Sequence, residues 1–197
     1  MSSASPLDLK SIIPGVSCEV CHGPGRDHIA AAKSHLATPS APWNKQIVNS
    51  ARMSPTESVN FCGACHSTPW DVRIMGAVGV QTVRFPAYRL EKSRCWGSAG
   101  DARLTCTACH DPHEPLARDP VAYDSACLDC HAAKKNLHSA GSPPVTPPDA
   151  GHPGPACPVA TSKCATCHMP KYDLPEMRYK FTEHNIRIAR RDAPFPD

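Results

Sequence analysis

Ten of the twelve cysteines lie in five copies of the pattern Cys-x-x-Cys-His, at 18–22, 62–66, 106–110, 127–131 and 164–168. Two thiols at this spacing form thioethers with the vinyl groups of a haem, and the adjacent histidine becomes the proximal iron ligand. Zinc ribbons do not need a histidine after every cysteine pair, and thioredoxin-type motifs occur singly beside a βαβ pattern. We therefore predict five covalent haems c, each with its iron. The predicted haem-binding residues are Cys18, Cys21, His22, Cys62, Cys65, His66, Cys106, Cys109, His110, Cys127, Cys130, His131, Cys164, Cys167 and His168.

The sixth coordination position of each iron needs a ligand from elsewhere in the chain. Six histidines lie outside the motifs. If each iron has a second histidine ligand, five of these six are used. The candidates are His28, His35, His113, His138, His152 and His184. Methionine is the alternative ligand and raises the reduction potential. Met169 directly follows a motif histidine and cannot turn back onto its own iron. We expect the methionines to fill gaps against the porphyrin edges.

The composition does not suit an ordinary protein core. The 197 residues include 22 prolines, only 6% are aromatic, and the mean hydropathy is -0.37. Proline removes a backbone donor and fixes φ, so long helices and continuous sheets are excluded as the main architecture. Bound cofactors supply the missing apolar mass. We predict a single domain over 1–197, with a Pro/Gly-rich loop at about 141–158.

Short helices joined by loops are the predicted local structure, so the predicted fold class is mainly α and irregular. The segment 25–37 predicts a helix, with Asp27 near its start and alanines in its middle. A second helix is predicted at 127–141, before two prolines. The alternation over 80–90 predicts a short strand or extended pair, limited by Pro86. The tail at 180–192 is predicted to be a last helix or an extended arm.

Several segments resemble the cytochrome c-554-type multihaem cytochromes. They are CEVCHGPGRDH (18–28), FCGACHSTPWDV (61–72), VRFPAYRLEKSRCW (83–96), LTCTACHDPHE (104–114), ACPVATSKCATCHMPK (156–171) and KFTEHNIRI (180–188). The resemblance implies a helical and irregular fold around haems in close-packed pairs. It also implies that His28, His113 and His184 are distal ligands, each of an iron other than that of the motif before it. His138 and His152 complete the predicted set, and His35 is left as the spare histidine.

Cys95 and Cys157 are the two cysteines outside the motifs. Haem is attached outside the cytoplasm, where disulfides persist, so we predict a Cys95–Cys157 bridge, with two buried free thiols as the alternative. The expected location is periplasmic or extracellular. No signal peptide is visible after Met1, so we expect that a leader has been removed or that the chain is a segment of a longer protein.

Electron transfer at low potential is the predicted function, because five irons with two histidines each leave no site for a substrate. The formal charge of +3 does not indicate nucleic-acid binding, since ten propionates and five ferric irons bring the oxidised protein to about −2. The predicted partners are other redox proteins, with a membrane complex or copies of the chain in an oligomer or extracellular filament as further options. The alternative is a haem enzyme with one open iron acting on a small nitrogen or sulfur compound. No catalytic constellation beyond haem is visible, so we expect no enzyme.

Overall fold

The chain is built mainly from short helices and irregular segments. The computed structural model describes residues 15–39, 47–97, 101–131 and 156–195. These residues contain few strands, which confirms the predicted mainly α and irregular fold class. The backbone divides into two compact units, Met1–Arg52 and Met53–Asp197. The single domain over 1–197 stays a prediction.

The first unit contains α1 (Cys18–His22), α2 (Arg26–Ala37) and a 3-10 turn at Ser50–Arg52. Gly23 follows α1 and has a φ of 76°, a backbone conformation that favours glycine. This turn ends α1 before α2 begins. The helix predicted at 25–37 is confirmed by α2, where alanines occupy the middle and Asp27 lies in the first turn.

The second unit begins with α3 (Pro55–His66) and α4 (Pro69–Met75). Each helix has proline at its start, where the missing N–H would have no partner in the helix. Ser54 and Thr68 cap the two helices. In each case the hydroxyl oxygen accepts the N–H of the acidic residue three positions later, and the carboxylate of that residue accepts the N–H of the cap. These local signals start α3 at the right place to put the second motif in its last turn.

The predicted strand at 80–90 is wrong. This segment forms a 3-10 helix at Gly79–Arg84 and then α5 (Pro86–Leu90). Pro86 stands at the start of α5, where its fixed φ suits a helix. The alternation of apolar residues coincided with two short helical turns that bury Thr82, Val83, Ala87 and Leu90.

The rest of the second unit contains 3-10 turns at Cys106–Ala108 and Pro120–Tyr123, α6 (Asp124–His131) and α7 (Cys164–His168). The helix predicted at 127–141 is present from Asp124 to His131, and 132–141 lie outside the described residues, as do 142–155 of the predicted loop.

An antiparallel hairpin follows α7. Strands β1 (Lys171–Asp173) and β2 (Lys180–Thr182) pair with Lys171 opposite Thr182. After β2 the chain runs on without helix through residue 195, so the extended arm was the correct alternative for the tail.

The apolar core of the second unit is small. Val59, Ala87 and Leu90 form one packed cluster of it, and the partly buried side chains against this cluster are Trp96, Leu104, Cys106 and Ile186. Arg89 and Glu183 are buried beside them with 0% of their surface exposed. Among the described helices, none has both the length and the apolar character that crossing a bilayer requires.

Candidate haem-binding sites

Four of the five motifs are helical, which explains how their side chains converge. The first is α1, the second ends α3, the fourth ends α6 and the fifth is α7. Residues three and four apart share one face of a helix, so the first cysteine, the second cysteine and the histidine form one stripe. The third motif begins with a 3-10 turn, Cys106–Ala108, whose three-residue repeat also aligns the two thiols. Each motif can therefore present both thiols to one porphyrin edge.

His22 is oriented by main-chain groups of Val48. Its Nδ1 lies 2.7 Å from the Val48 carbonyl oxygen, and the Val48 N–H donates to the His22 carbonyl at 3.0 Å. A carbonyl oxygen only accepts, so Nδ1 carries a proton and donates it to Val48. Histidines that ligate metals almost always donate their other ring N–H in this way. His22 therefore makes the hydrogen bond that is typical of a metal ligand.

The same pair of hydrogen bonds, one from the ring and one to the carbonyl of the motif histidine, occurs at the fifth motif. His168 Nδ1 lies 2.7 Å from the Arg187 carbonyl oxygen, and the Arg187 N–H donates back to the His168 carbonyl at 3.4 Å. His168 Nδ1 thus also carries a proton and donates it to a main-chain carbonyl. Sequence reasoning missed Val48 and Arg187, because only their main-chain groups take part and side-chain patterns do not report such contacts.

His184 lies directly after β2 and faces a motif histidine. Its Nδ1 donates to the Thr182 carbonyl at 2.9 Å. The centres of the His184 and His110 rings are 6.3 Å apart, with an angle of 36° between their planes. An imidazole nitrogen ligates a metal at about 2.0–2.1 Å and its ring centre lies roughly 1.1 Å behind it, so ligands on opposite sides of one metal have ring centres about 6.3 Å apart. The His110–His184 spacing fits a shared iron.

Burial disfavours the charged form of both rings. Desolvation lowers the pKa of His184 and of His110, and the nearby His66 lowers both further. Neutral imidazole is the form that binds iron. Tyr123 packs edge-on against the His110 ring, with centres 5.5 Å apart, and its hydroxyl donates to the Ala117 carbonyl at 2.9 Å. Tyr123 thus restricts the orientation of the proximal ring.

The other predicted distal ligands are placed differently. His28 and His35 lie seven residues apart on α2, and both are partly buried. His113 is exposed, with its Nδ1 3.3 Å from Asp111 Oδ1. His138 and His152 lie outside the described residues. The distal roles of His28, His113, His138 and His152 stay predictions, as does the assignment of His35 as the spare histidine.

The predicted Cys95–Cys157 disulfide is wrong, because all twelve cysteines are free. The two thiols have different surroundings. Cys95 is half-buried near Cys130 and Asp101, and desolvation raises the pKa of its thiol. Cys157 is exposed, and the backbone N–H groups of Ala160 and Val159 lower the pKa of its thiol. The alternative of two buried free thiols is correct in that neither thiol forms a disulfide. It is wrong about burial at Cys157, which is exposed.

Cysteines of different motifs also meet. A hydrogen bond from Cys62 lowers the pKa of the Cys106 thiol to about 6, so the first cysteines of the second and third motifs are in contact. Cys127 and Cys164, the first cysteines of the fourth and fifth motifs, share a side-chain hydrogen bond. Desolvation raises the pKa of Cys127 to about 12, and Cys109 lies close enough to add to this effect.

Asp124 links the fourth and fifth motifs and was also missed by the sequence analysis. It is the first residue of α6, and its carboxylate accepts the N–H of Lys163 at 2.6 Å and that of Cys164 at 2.8 Å. These donors lower the pKa of Asp124, with Cys164 contributing most. Lys163 has a φ of 56°, so this anchor also holds a turn that side chains rarely adopt.

The five motifs, with main-chain carbonyls accepting the Nδ1 protons of His22 and His168, have the residues and spacing that are typical of haem sites in multihaem c-type cytochromes. No family model and no solved structure matches the chain. The chain is similar to multiheme cytochrome MtrA of Shewanella baltica (strain OS185), with 25% identity over 168 residues that cover 82% of this chain. The chain spans 37% of the length of that relative. The similarity supports a multihaem c-type cytochrome with covalent haem and iron, and it does not single out the c-554 family.

Proposed function

We propose that this chain transfers electrons through five covalently attached haems c, without catalysing a reaction of its own. The observation that carries the proposal is the pairing of His110 with His184 at the spacing of two ligands on one iron. An iron ligated on both sides has no position left for a substrate. Its remaining chemistry is to gain and lose an electron.

Ligation by two histidines is proposed for the other four irons as well. The proposed distal ligands are His28 and His113, which the resemblance to the c-554-type cytochromes implies, and His138 and His152, which complete the count of histidines outside the motifs. His22 and His168 support the scheme on the proximal side, because main-chain carbonyls hold their Nδ1 protons and leave Nε2 for iron. Without methionine as a ligand, the haems have low reduction potentials.

The contacts between cysteines of different motifs support an order for four of the haems. Cys62 meets Cys106, Cys109 lies near Cys127, and Cys127 meets Cys164. Each thiol marks an edge of its own porphyrin. These residues would hold the haems of the second, third, fourth and fifth motifs next to one another in chain order, and the bound haems would supply the electron-transfer chemistry.

The cellular setting follows from the cofactor. Covalent haem attachment places the chain in the periplasm or outside the cell, and its partners are other redox proteins. The similarity to multiheme cytochrome MtrA fits this setting. We propose that electrons arrive or leave through a membrane complex, or through other copies of the chain in an oligomer or filament.

Electron paramagnetic resonance and carbon monoxide binding test the proposal. The oxidised, haem-loaded protein is expected to show only low-spin iron, and the reduced protein is expected to bind no carbon monoxide. His184→Ala is expected to convert about one haem in five to high spin and to admit one carbon monoxide per chain. His35→Ala is the matched control and is expected to change neither signal. One open iron in the unmodified protein would replace the carrier proposal with the haem-enzyme alternative.

A further inference from the structure

The segment that carries His184 is held by a buried ion pair. Arg89 Nε donates to Glu183 Oε1 at 2.9 Å, and Arg89 Nη2 donates to Oε2 at 2.6 Å. The exposed fractions of the two side chains are 1% and 0%. The pair joins α5 to the residue immediately before His184, across 94 positions of the chain. The two parallel hydrogen bonds fix the orientation of the carboxylate as well as its position.

The same two side chains make further contacts that restrain them. Arg89 Nη1 donates to Thr82 Oγ1 at 3.2 Å, and the guanidinium stacks over the Phe195 ring at 4.6 Å. Glu183 Oε1 also accepts the Asn185 N–H at 2.8 Å. Glu183 therefore binds the backbone on the far side of His184 while Arg89 holds its carboxylate.

Ser93 completes the restraint of this segment. Its hydroxyl donates to the His184 carbonyl at 3.1 Å and accepts the Ile186 N–H at 2.8 Å. Ser93 follows Arg89 by four residues, and both reach the same extended segment. The backbone on each side of His184 is thus fixed from one short part of the chain, while the His184 ring is fixed by its bond to the Thr182 carbonyl.

A buried ion pair needs a reason other than stability. Removing two charges from water is costly, and apolar replacements of similar size often keep or increase stability. Here the pair lies beside His184, a distal candidate whose ring is close to that of the motif histidine His110. A shift of the His184 ring by a fraction of an ångström would weaken an iron–nitrogen bond, whereas an ordinary packing contact tolerates it.

We propose that Arg89 and Glu183, assisted by Ser93, are positioning residues that hold His184 Nε2 at the sixth position of the iron ligated by His110. The inference rests on the proposed two-histidine ligation of that iron. It assigns to the ion pair the task of keeping the distal ligand in place. Glu183 acts through the Asn185 N–H, and Arg89 acts through the Glu183 carboxylate.

The double variant Arg89→Met/Glu183→Leu tests the inference in the haem-loaded protein, because it removes both charges together. We expect a high-spin signal that amounts to a measurable part of one haem in five, with carbon monoxide binding in the same proportion. Arg89→Lys keeps the charge but not the paired donors, so we expect a smaller high-spin fraction. If the double variant does not take up haem, Glu183→Gln tests the inference in its place, and we expect it to give a high-spin signal as well.

Lys180→Met is the matched control, because it breaks the exposed Lys180–Asp173 pair at 3.1 Å on the same hairpin. We expect it to leave all haems low-spin. The His184→Ala variant separates the two ideas. If His184→Ala opens one iron but the Arg89 and Glu183 variants stay fully low-spin, the positioning role is refuted and the ligation stands. If His184→Ala also changes nothing, the ligation by His184 is itself wrong.

Discussion

The buried Arg89–Glu183 pair makes a quantitative prediction about stability. Arg89→Met leaves the Glu183 carboxylate without its cation at a position where its exposed fraction is 0%. Breaking a buried pair by removing one partner costs about 3–5 kcal/mol, because the remaining charge stays desolvated. The same cost is expected for Glu183→Leu. Either loss is large against a typical total of about 5–15 kcal/mol.

The double variant should cost far less than the two single variants added together. Replacing both charges by apolar groups is often neutral, but the Asn185 N–H then loses its acceptor, which adds about 1–3 kcal/mol. The double variant is therefore expected to lose about 1–3 kcal/mol, and the coupling energy between the two residues should be at least about 3 kcal/mol.

Urea unfolding, followed by far-ultraviolet circular dichroism, measures the free energy of unfolding of four haem-loaded proteins. They are the unmodified protein, the two single variants and the double variant, which together form a double-mutant cycle. The slope of each curve must stay unchanged for the free energies of unfolding to be compared. Costs that simply add, with the double variant losing about 6–10 kcal/mol, would refute the reasoning, since each charge would then be stabilised by something other than its partner.

Three further predictions concern other parts of the molecule. The intact mass should exceed the 21.2 kDa of the chain by about 3.1 kDa for five haems, and a smaller addition removes motifs from the set. Alkylation of the haem-loaded protein should label two thiols, Cys157 rapidly and Cys95 slowly, and Cys157→Ser should abolish the rapid phase alone. Asp124 has a lowered pKa, so its stabilising effect is present above the ordinary pKa of aspartate and is lost as the pH falls through the lowered value. The difference in melting temperature between the native protein and Asp124→Asn should therefore shrink in strong acid, and a constant difference would contradict this.

The sequence predicted those features that depend on neighbouring residues. The Cys-x-x-Cys-His motifs and α2 are of this kind, because cysteine and histidine spacing and a run of alanines act within a few neighbouring residues. The error at 80–90 has a local cause too. Alternating apolar residues suggested a strand, while Pro86 was starting a helix.

Long-range pairing could not be predicted in the same way. Arg89 and Glu183 are 94 positions apart, and nothing in either local segment marks them as partners. His184 came from a family resemblance, and its geometry beside His110 came only from the structure. The disulfide prediction rested on the redox compartment, which says nothing about whether the Cys95 and Cys157 thiols meet in space.

The exchange between motif histidines and main-chain groups has a consequence for sequence drift. At His22 the partner is the peptide group of Val48, and at His168 it is that of Arg187. Nearly any amino acid supplies that peptide group, so substitutions at positions 48 and 187 can keep these main-chain hydrogen bonds. Proline alone lacks the N–H and would break half of the exchange. The contacts that orient the His22 and His168 rings thus leave almost no trace in the amino-acid sequence.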